Sequence, residues 1–548
     1  MKNKKKNKKI MKQGFLQGII ALIFSQVIIK ILGLIYKLYL TNKNGFGDEG
    51  NAIYSAGFQI YALLLTLSSI GVPNAVAKMV SEKISIGDRK GAHRIFKISF
   101  FTFASIGFLC SIVLFLGAKY IANDVLQIPE AENSLLALSP SIFFVSIISV
   151  IRGYFNGMQT MKATANSQTI EQLLKTILTI ILVEITCNIS NSNTTLMAAS
   201  SNLATTFATM GSFYYLYKYY KIREKDISYE IKKSIKYKRN SFISIIKNII
   251  YVTIPMSLTS ILISINKNID SITVVRGLKT FLSSHEAKIQ YGILSGKVDT
   301  LINLPLSFNM AFATALVPAV SAAFAKRNNL EGIKKISFSI LITILIGLPS
   351  TIGIIILAEP ILKLLFPNAS AGKEILQIAS ISILFTSLCQ TINGALQGAG
   401  KIFVPAISLL IGVIMKIILN IILVPISNEV FFFGGINGAA FATVVCHIVA
   451  FSISFYVLKR KINIRLRIDK ILVKPLMATG IMVICLYYTN EILKGIIIEN
   501  LATILSIIIA VIIYILAIIS LKVFNKEEFL LFPYGEKLLK IMEKIGIY

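Results

Sequence analysis

Long apolar runs recur along the chain and limit what it can fold into. They extend from Ile19 to Leu521, and each run of roughly 20 residues could cross about 30 Å of hydrocarbon as a helix. Hydrophobic residues make up 55% of the chain, a larger fraction than in an ordinary soluble protein. We predict an all-α polytopic membrane protein with about 14 transmembrane helices. The predicted spans are 14–40, 52–80, 95–118, 134–159, 164–187, 196–217, 247–266, 290–323, 335–358, 374–398, 402–425, 436–458, 472–489 and 499–521.

Basic residues are concentrated in alternate loops between these spans. With the N-terminus placed inside, the predicted inner segments contain 40 Lys and Arg residues and the outer loops contain 9. The positive-inside rule assigns such an excess to the cytoplasmic side. The abundance of Lys, Ile and Asn is typical of an AT-rich bacterial genome. We therefore predict a multi-pass protein of the bacterial plasma membrane with both termini in the cytoplasm. The net charge of +30 has the same origin, so we do not expect nucleic-acid binding.

One segment of the sequence occurs twice. Residues 151–183 align without gaps with residues 392–424, at an offset of 241. Each copy contains a G-x-x-x-G pair and, further on, a lysine at the same position. These residues are Gly153, Gly157 and Lys175 in the first copy and Gly394, Gly398 and Lys416 in the second. A weaker match pairs Val72-Pro73 with Val317-Pro318. Glycines at i and i+4 allow a neighbouring helix to approach closely, so they favour a packing role.

The repeat predicts the domain organisation. Because the copies are six spans apart, both insert in the same direction and form two parallel six-helix repeats, followed by two C-terminal helices. The predicted domains are an N-terminal six-helix lobe (1–217), a basic cytoplasmic linker (218–246), a C-terminal six-helix lobe (247–458), two additional transmembrane helices (459–521) and a cytoplasmic amphipathic tail (522–548). In parallel repeats of this kind the transport path lies between the halves.

Several charged residues fall inside the predicted spans, where a centrally placed charge costs about 2.5–3.5 kcal/mol. Such residues usually face a wet cavity or a partner, so they are the candidate substrate-binding residues. They are Lys30, Lys37, Arg152, Lys175, Lys297, Asp299 and Lys416. The excess is basic, which favours an anionic cargo such as a phosphate or pyrophosphate head group. Lysine suits that role as a point charge.

Structural interpretations of the same residues remain open at this point. Lys37 and Arg152 could extend towards the membrane surfaces. Glu171 and Lys175, four residues apart on one helix, could form a self-contained ion pair. Lys297 could pair with Asp299. Arg276 and Lys279, in an outer loop, could be ordinary solvated charges.

Motifs for enzymatic chemistry are absent from the sequence. It contains no G-x-x-x-x-G-K-[ST] nucleotide loop and no G-x-S-x-G nucleophile motif. The three histidines and five cysteines are scattered and predict neither a metal site nor a disulfide framework. We therefore expect a secondary transporter rather than an enzyme, with no cofactor and no bound metal.

Three motifs resemble a known family. They are KILGLIYK in the first span, GVPNAVAKMVSE at 71–82 and RGYFNGMQ at 152–159. Together with the arrangement of spans, they resemble the polysaccharide-transport branch of the MATE-like flippase superfamily, in particular the stage V sporulation protein B and MurJ-type lipid II flippases. The resemblance implies a lipid-linked peptidoglycan precursor as cargo, carried by alternating access through a central cationic cavity. It also implies roles for Lys30 and for Asp299, which precedes Pro305.

The expected function is thus a lipid II flippase in cell wall or spore cortex synthesis. The alternatives are a flippase for another polyprenyl-pyrophosphate glycan of capsule or teichoic type, a cation-coupled multidrug exporter and a non-transporting cell-wall scaffold. The expected partners are the lipid-linked anionic glycan and the bilayer, with a coupling ion left open. We expect a monomer.

Overall fold

The computed structural model describes residues 25, 28–69, 71–158, 160–232, 234–235, 241–325, 329–401, 403–462, 464, 467–525 and 528. All regular secondary structure in these residues is helical, as the sequence predicts. A helix satisfies its own backbone hydrogen bonds, which hydrocarbon requires of any spanning segment. The predicted basic N-terminal segment and nearly all of the predicted amphipathic tail, 522–548, lie outside the described residues.

The residues up to Gly296 form one compact unit. Helix α5 lies at its centre and packs against α2, α3, α4 and α7. Its apolar residues, including Ile148 and Phe155, are buried in the main core of the unit. The helices are α1 (28–42), α2 (Gly47–Ser69), α3 (Val72–Ser85), α4 (Arg89–Tyr120), α5 (Glu132–Gly157), α6 (Met161–Ile189), α7 (Thr194–Lys232), α8 (Phe242–Leu278) and α9 (Ser284–Gly292).

The residues from Lys297 onwards form a second compact unit. Helix α13 is central here and packs against α10, α11 and α15. A separate core joins α11 to the last two helices, where the Tyr514 hydroxyl donates to the Leu345 carbonyl at 2.9 Å. The helices are α10 (Asp299–Ala325), α11 (Asn329–Ile356), α12 (Ala358–Leu365), α13 (Lys373–Gly398), α14 (Phe403–Leu423), α15 (Gly435–Ile462), α16 (Lys474–Lys494) and α17 (Glu499–Ser520).

Eight helical segments in the described part of the chain are long and apolar enough to cross a membrane. They lie in α4, α5, α11, α13, α14, α15, α16 and α17. The structure therefore supports a multi-pass protein, while the larger number of about 14 spans stays a prediction.

The predicted span 52–80 consists of two helices rather than one. Gly71 adopts a φ of 90°, in the left-handed region that favours glycine, between α2 and α3. Pro73 then lies in the first turn of α3, where its missing N–H leaves no hydrogen bond unmade. The apolar sequence is continuous across this point, so hydropathy alone does not reveal the break.

The two G-x-x-x-G pairs provide the same close helix contact in both units. A Cβ at Gly153 would lie 2.8 Å from the Pro73 carbonyl oxygen, on α3. A Cβ at Gly394 would lie 2.6 Å from the Ala313 carbonyl oxygen, on α10. A Cβ at the second glycine of each pair, Gly157 or Gly398, would lie 2.8 Å from a carbonyl oxygen of the same neighbouring helix. The packing interpretation of the repeated glycines is therefore confirmed.

These contacts also correct the weaker part of the repeat. Gly157 faces the Ala77 carbonyl and Gly398 faces the Val317 carbonyl, so Ala77 and Val317 are equivalent. Val317 is thus not the counterpart of Val72. The prediction was wrong by more than one helical turn, because a two-residue match cannot determine register.

Helix α7 continues well into the predicted linker, 218–246, and ends at Lys232. The following helix, α8, packs against α2, α3 and α4 within the first unit. The six-helix lobes predicted from the repeat stay a prediction. The two compact units of one conformation need not coincide with the two copies of an internal repeat.

Candidate functional site

Two buried lysines and three aromatic rings form a cluster in the first unit, which we call the ring-lined lysine site. Its members are Lys37 and Tyr36 on α1, Tyr54 and Phe58 on α2, and Lys175 on α6. The Lys37 ammonium lies 4.7 Å from the centre of the Tyr54 ring. The Lys175 ammonium lies 4.6 Å from the Phe58 ring and 5.1 Å from the Tyr36 ring. Such cation–π contacts stabilise a buried ammonium group without a negative charge.

The local sequence of α2 builds the aromatic wall of this site. Tyr54 and Phe58 are four residues apart and therefore lie on one face of the helix. Their rings are stacked, with centroids 5.7 Å apart. The Tyr54 hydroxyl lies 3.4 Å from that of Tyr36, which brings the third ring into the wall.

Hydrogen bonds at three levels hold α1 beside α6 and place the two lysines together. Near the start of α1, the Ser25 hydroxyl lies 2.8 Å from that of Thr169. In the middle, the Thr176 hydroxyl donates to the Leu32 carbonyl at 3.3 Å. At the other end, Glu184 accepts hydrogen bonds from Tyr39 and Lys43, both at 2.6 Å.

Lys175 has no carboxylate beside it in the described part of the unit. Its side chain is 8% exposed, and it forms no hydrogen bond or salt bridge with a described residue. Lys175 does not form the ion pair with Glu171 that the sequence left open. Glu171 accepts instead from the Arg152 guanidinium at 2.7 Å. A buried cation without a counter-charge is a candidate for binding an anion.

Arg152 is engaged at the junction of α5, α6 and α7. Its guanidinium also donates to the Ser167 hydroxyl at 2.9 Å and to the Ser212 hydroxyl at 3.1 Å. The side chain is 12% exposed. Its contacts therefore join three helices.

Lys30 lies two turns before Lys37 on α1 and is exposed. Lys267, on α8, is near enough for the two positive charges to repel each other. The basic character of the ring-lined lysine site thus continues along α1. Gln26, four residues before Lys30 in the sequence, lies outside the described residues.

Two candidate residues of the second unit, Lys297 and Lys416, are more deeply buried than those of the first, and Asp299 is half-buried. Lys297 is fully buried and donates to the carbonyls of Ala369 and Ala371 at 2.6 and 2.7 Å. These bonds hold the loop before α13. Asp299 begins α10, and its carbonyl accepts from the Asn303 side chain at 2.6 Å. Lys416 is 1% exposed in α14.

A second charged cluster, which we call the Lys288 cluster, was missed by the sequence analysis. Lys288 of α9 bridges Glu130 at 2.6 Å and Glu49 at 3.2 Å. Burial alone would lower the pKa of Lys288, but its contacts with Glu130 and Glu49 outweigh that effect and raise it. Nearby, Arg276 donates to the Asp124 carbonyl and Lys279 to the Gln127 carbonyl, at 3.0 and 2.8 Å.

Arg276 is exposed, as the interpretation of a solvated charge expects, but it and the half-buried Lys279 also bind backbone carbonyl groups, which the sequence analysis did not predict. Both hold the segment between α4 and α5, and no local sequence signal links residues about 150 positions apart. The aromatic partners of Lys175 were also missed. The i, i+4 spacing of Tyr54 and Phe58 was the one available signal for them. Within the described ranges, no group of three or more His, Cys, Asp and Glu side chains could hold a metal ion.

Comparison with known proteins identifies the family. The family described as polysaccharide biosynthesis protein matches residues 15–324, more than half of the chain. The chain belongs to this family. A second family, MatE, matches residues 255–422. The resemblance to the MATE-like flippase superfamily, inferred from the sequence motifs, is thereby confirmed.

Individual relatives extend the similarity over most of the chain. The lipid II flippase MurJ of Bacillus subtilis (strain 168) is 25% identical over 466 residues, which covers 82% of this chain and 83% of that protein. Stage V sporulation protein B of the same organism is 26% identical over 443 residues, 79% and 81% of the two chains. A solved structure of lipid II flippase MurJ, in an inward closed conformation, has a TM-score of 0.67 at 18% identity and covers 92% of this chain and 98% of that one. That likeness concerns the fold.

Proposed function

We propose that this protein is a flippase for the lipid-linked peptidoglycan precursor lipid II and acts in cell wall or spore cortex synthesis. The observation that carries the proposal is the ring-lined lysine site, where Lys175 is buried without a carboxylate partner among the described residues. Family membership and the similarity to lipid II flippase MurJ and stage V sporulation protein B agree with this role.

The charge of the site favours an anionic head group. Lys37 and Lys175 both approach the Tyr54 ring, at 4.7 and 6.0 Å from its centre. Two ammonium groups in one partly dry site attract a ligand that carries more than one negative charge. The pyrophosphate of a polyprenyl-linked glycan has that property, and lysine can bind it as a point charge.

The proposed mechanism assigns separate tasks to head group and tail. The basic side chains hold the pyrophosphate, while the apolar polyprenyl tail stays in the bilayer, because its transfer into a polar site would be unfavourable. Alternating access then releases the head group on the outer side, with both termini of the chain remaining in the cytoplasm. Lys30, two turns before Lys37 on α1, would contact the head group at an earlier stage of transport.

The charge arrangement argues against the two main alternatives. A cation-coupled exporter of positively charged drugs needs acidic side chains, but Glu171 and Glu184 are already paired with Arg152 and Lys43. A non-transporting scaffold has no use for buried intramembrane charge, which is costly to insert. A flippase for another polyprenyl-pyrophosphate glycan shares the same chemistry, so only a transport measurement separates the two cargoes.

The test is a vesicle assay with Lys175→Gln, Lys175→Arg and the exposed control Lys119→Gln. Purified protein is reconstituted, labelled lipid II is supplied, and exposure of the label on the opposite leaflet is followed over time. We expect Lys175→Gln to slow the transfer at least about tenfold, the effect of losing one charged hydrogen bond. Lys175→Arg should retain part of the rate and Lys119→Gln all of it.

Two outcomes would contradict the proposal in different ways. Equal rates for the parent and a well-expressed Lys175→Gln variant would remove the lysine from the mechanism. A parent protein that leaves lipid II in place but moves another lipid-linked glycan would keep the flippase and exclude the cargo.

A further inference from the structure

A large basic pocket lies in the first unit, apart from the ring-lined lysine site. We call it the basic pocket. Its volume is about 1090 Å³, which is enough for a ligand of nucleotide size. The walls are the end of α3, the first turns of α4 and the last turns of α7, with Ile245 of α8 closing one side. The predicted topology places this end of the unit in the cytoplasm.

Helical spacing concentrates positive charge on the α4 wall. Lys90, Arg94 and Lys97 occur at i, i+4 and i+7, so all three lie on one face. Like charges at this spacing destabilise a helix when nothing opposes them. Lys232 adds a fourth positive charge from the opposite wall.

The acidic groups that line the pocket do not neutralise these four residues. Asp88 is occupied by Lys83 at 3.1 Å and by the Gly91 backbone N–H at 2.8 Å. Glu224 pairs with Lys221 at 3.1 Å. None of Lys90, Arg94, Lys97 and Lys232 forms a salt bridge with a residue in the described segments.

The pocket is a built feature rather than a group of mobile side chains. The end of α7 is joined to the turn between α3 and α4 by the Arg89–Glu230 salt bridge of 2.8 Å and by a 3.3 Å bond from the Ile235 N–H to the Gly87 carbonyl. The Lys90 N–H donates to the Ser234 hydroxyl at 3.0 Å. This N–H and that of Gly91 are therefore already used, so a ligand would be bound by the side chains.

We infer that the basic pocket binds a phosphate-bearing anion through Lys90, Arg94, Lys97 and Lys232. Four positive charges on facing walls fit one phosphodiester or a pyrophosphate group, and arginine can bind phosphate through two parallel hydrogen bonds. The phosphate could belong to an inner-leaflet lipid or to a soluble ligand. Exposed apolar side chains on the last turns of α7, Ile222 at 71% and Tyr229 at 59%, favour the lipid.

The experiment compares two triple variants that lose the same charge. Arg94→Gln/Lys97→Gln/Lys232→Gln removes charge from the pocket. Lys218→Gln/Arg223→Gln/Lys225→Gln removes it from α7 outside the pocket and leaves the Lys221–Glu224 pair intact. The full-length protein is placed in zwitterionic nanodiscs, and binding of labelled pyrophosphate is measured by equilibrium dialysis. In a second arm, phosphatidylglycerol is added to the nanodiscs, and native mass spectrometry counts the phosphatidylglycerol molecules retained by the protein.

We expect the pocket variant to lose either at least about tenfold in affinity for pyrophosphate or most of its retained phosphatidylglycerol, while the control stays within about twofold of the parent in both arms. The probe that is lost identifies the source of the phosphate. The single variant Arg94→Gln gives the same test with a smaller loss if the triple variant is poorly folded.

Three results would overturn the inference. Equal weakening of both triple variants would indicate diffuse surface charge. Absence of binding by the parent in both arms would exclude the site. Binding that persists in the pocket variant but disappears in Lys175→Gln would assign the anion to the ring-lined lysine site.

Discussion

The two copies of the repeat share a lysine but differ in the groups around it. In the first copy, Arg152 and Glu171 form an ion pair that also engages Ser212. At the offset of 241, the second copy has Asn393 in place of Arg152 and Gly412 in place of Glu171. Both members of the ion pair are therefore replaced together by neutral residues.

The neutral copy reaches a similar packing by other means. Asn393 accepts from the Ser454 hydroxyl at 3.1 Å, which joins α13 to α15. A Cβ at Gly412 would lie 2.5 Å from the Cys446 carbonyl oxygen, so the glycine brings α14 directly against α15. The comparison indicates that the Arg152–Glu171 pair is a structural connection between helices. Lys175 and Lys416 are independent of it, since a lysine is present in both copies.

Breaking the ion pair should have the largest effect on stability. Arg152→Ala leaves Glu171 half-buried with no partner, and we expect a loss of about 3 kcal/mol. Asn393→Ala removes one neutral hydrogen bond and should cost about 1 kcal/mol. Thermal denaturation of the detergent-solubilised variants measures the difference. Equal losses at the two positions would show that the copies are energetically alike.

Transplanting the second copy's residues should recover part of that loss. In Arg152→Asn/Glu171→Gly, no buried carboxylate is left unpaired, so we expect higher stability than in Arg152→Asn alone. About 1 kcal/mol of deficit should remain, because glycine is unfavourable within a helix. The coupling between the two sites follows from a double-mutant cycle. A double variant less stable than Arg152→Asn would contradict the assigned role.

The repeated glycines should behave alike in the two units. Gly157→Ala and Gly398→Ala each place a Cβ 2.8 Å from a backbone carbonyl oxygen of the neighbouring helix. Overpacking of this kind costs about 1–3 kcal/mol. Gly353→Ala is the matched control, because nothing lies within 4 Å of its added Cβ. Loss of folded protein after heating gives the ranking, and a control as unstable as the other two would exclude the packing explanation.

Substitutions in the clusters at Lys288 and Glu359 should give the smallest changes in stability. Lys288 has an 8% exposed side chain between two acids, so Lys288→Gln should cost about 1 kcal/mol. Glu359 lies between Lys363 and Lys373 with its side chain 45% exposed. Exposed ion pairs contribute little, so Glu359→Gln should leave the melting temperature unchanged.

A pH titration of stability provides a further test of the Glu359 cluster. Hydrogen bonds and charges of Lys373 and Lys363 lower the pKa of Glu359 to about 2. A depressed folded-state pKa means that any contribution is present above the ordinary carboxyl pKa and is lost as the pH falls towards 2. The difference between Glu359→Gln and the parent should therefore be constant from pH 5 to pH 7. A difference that changes in this window would place another titrating group in the cluster.

Hydropathy and local spacing were sufficient to predict the class of the protein and several of its key positions. The all-helical architecture and the close packing at each G-x-x-x-G pair follow from patterns within about 20 residues, and the internal repeat adds the equivalence of Lys175 and Lys416. Such patterns are local, since a helix interior and its apolar or polar faces depend on neighbours at i+3 and i+4.

Partners that come from different helices depended on tertiary packing. Glu171 had Lys175 four residues away but pairs with Arg152, which lies 19 residues before it on another helix. The rings around Lys175 come from α1 and α2, more than 115 residues earlier in the chain. Arg276 and Lys279 bind carbonyl groups 152 residues away. Each of these choices follows from which helices lie side by side, because a charged side chain pairs with the group that packing brings within hydrogen-bond distance.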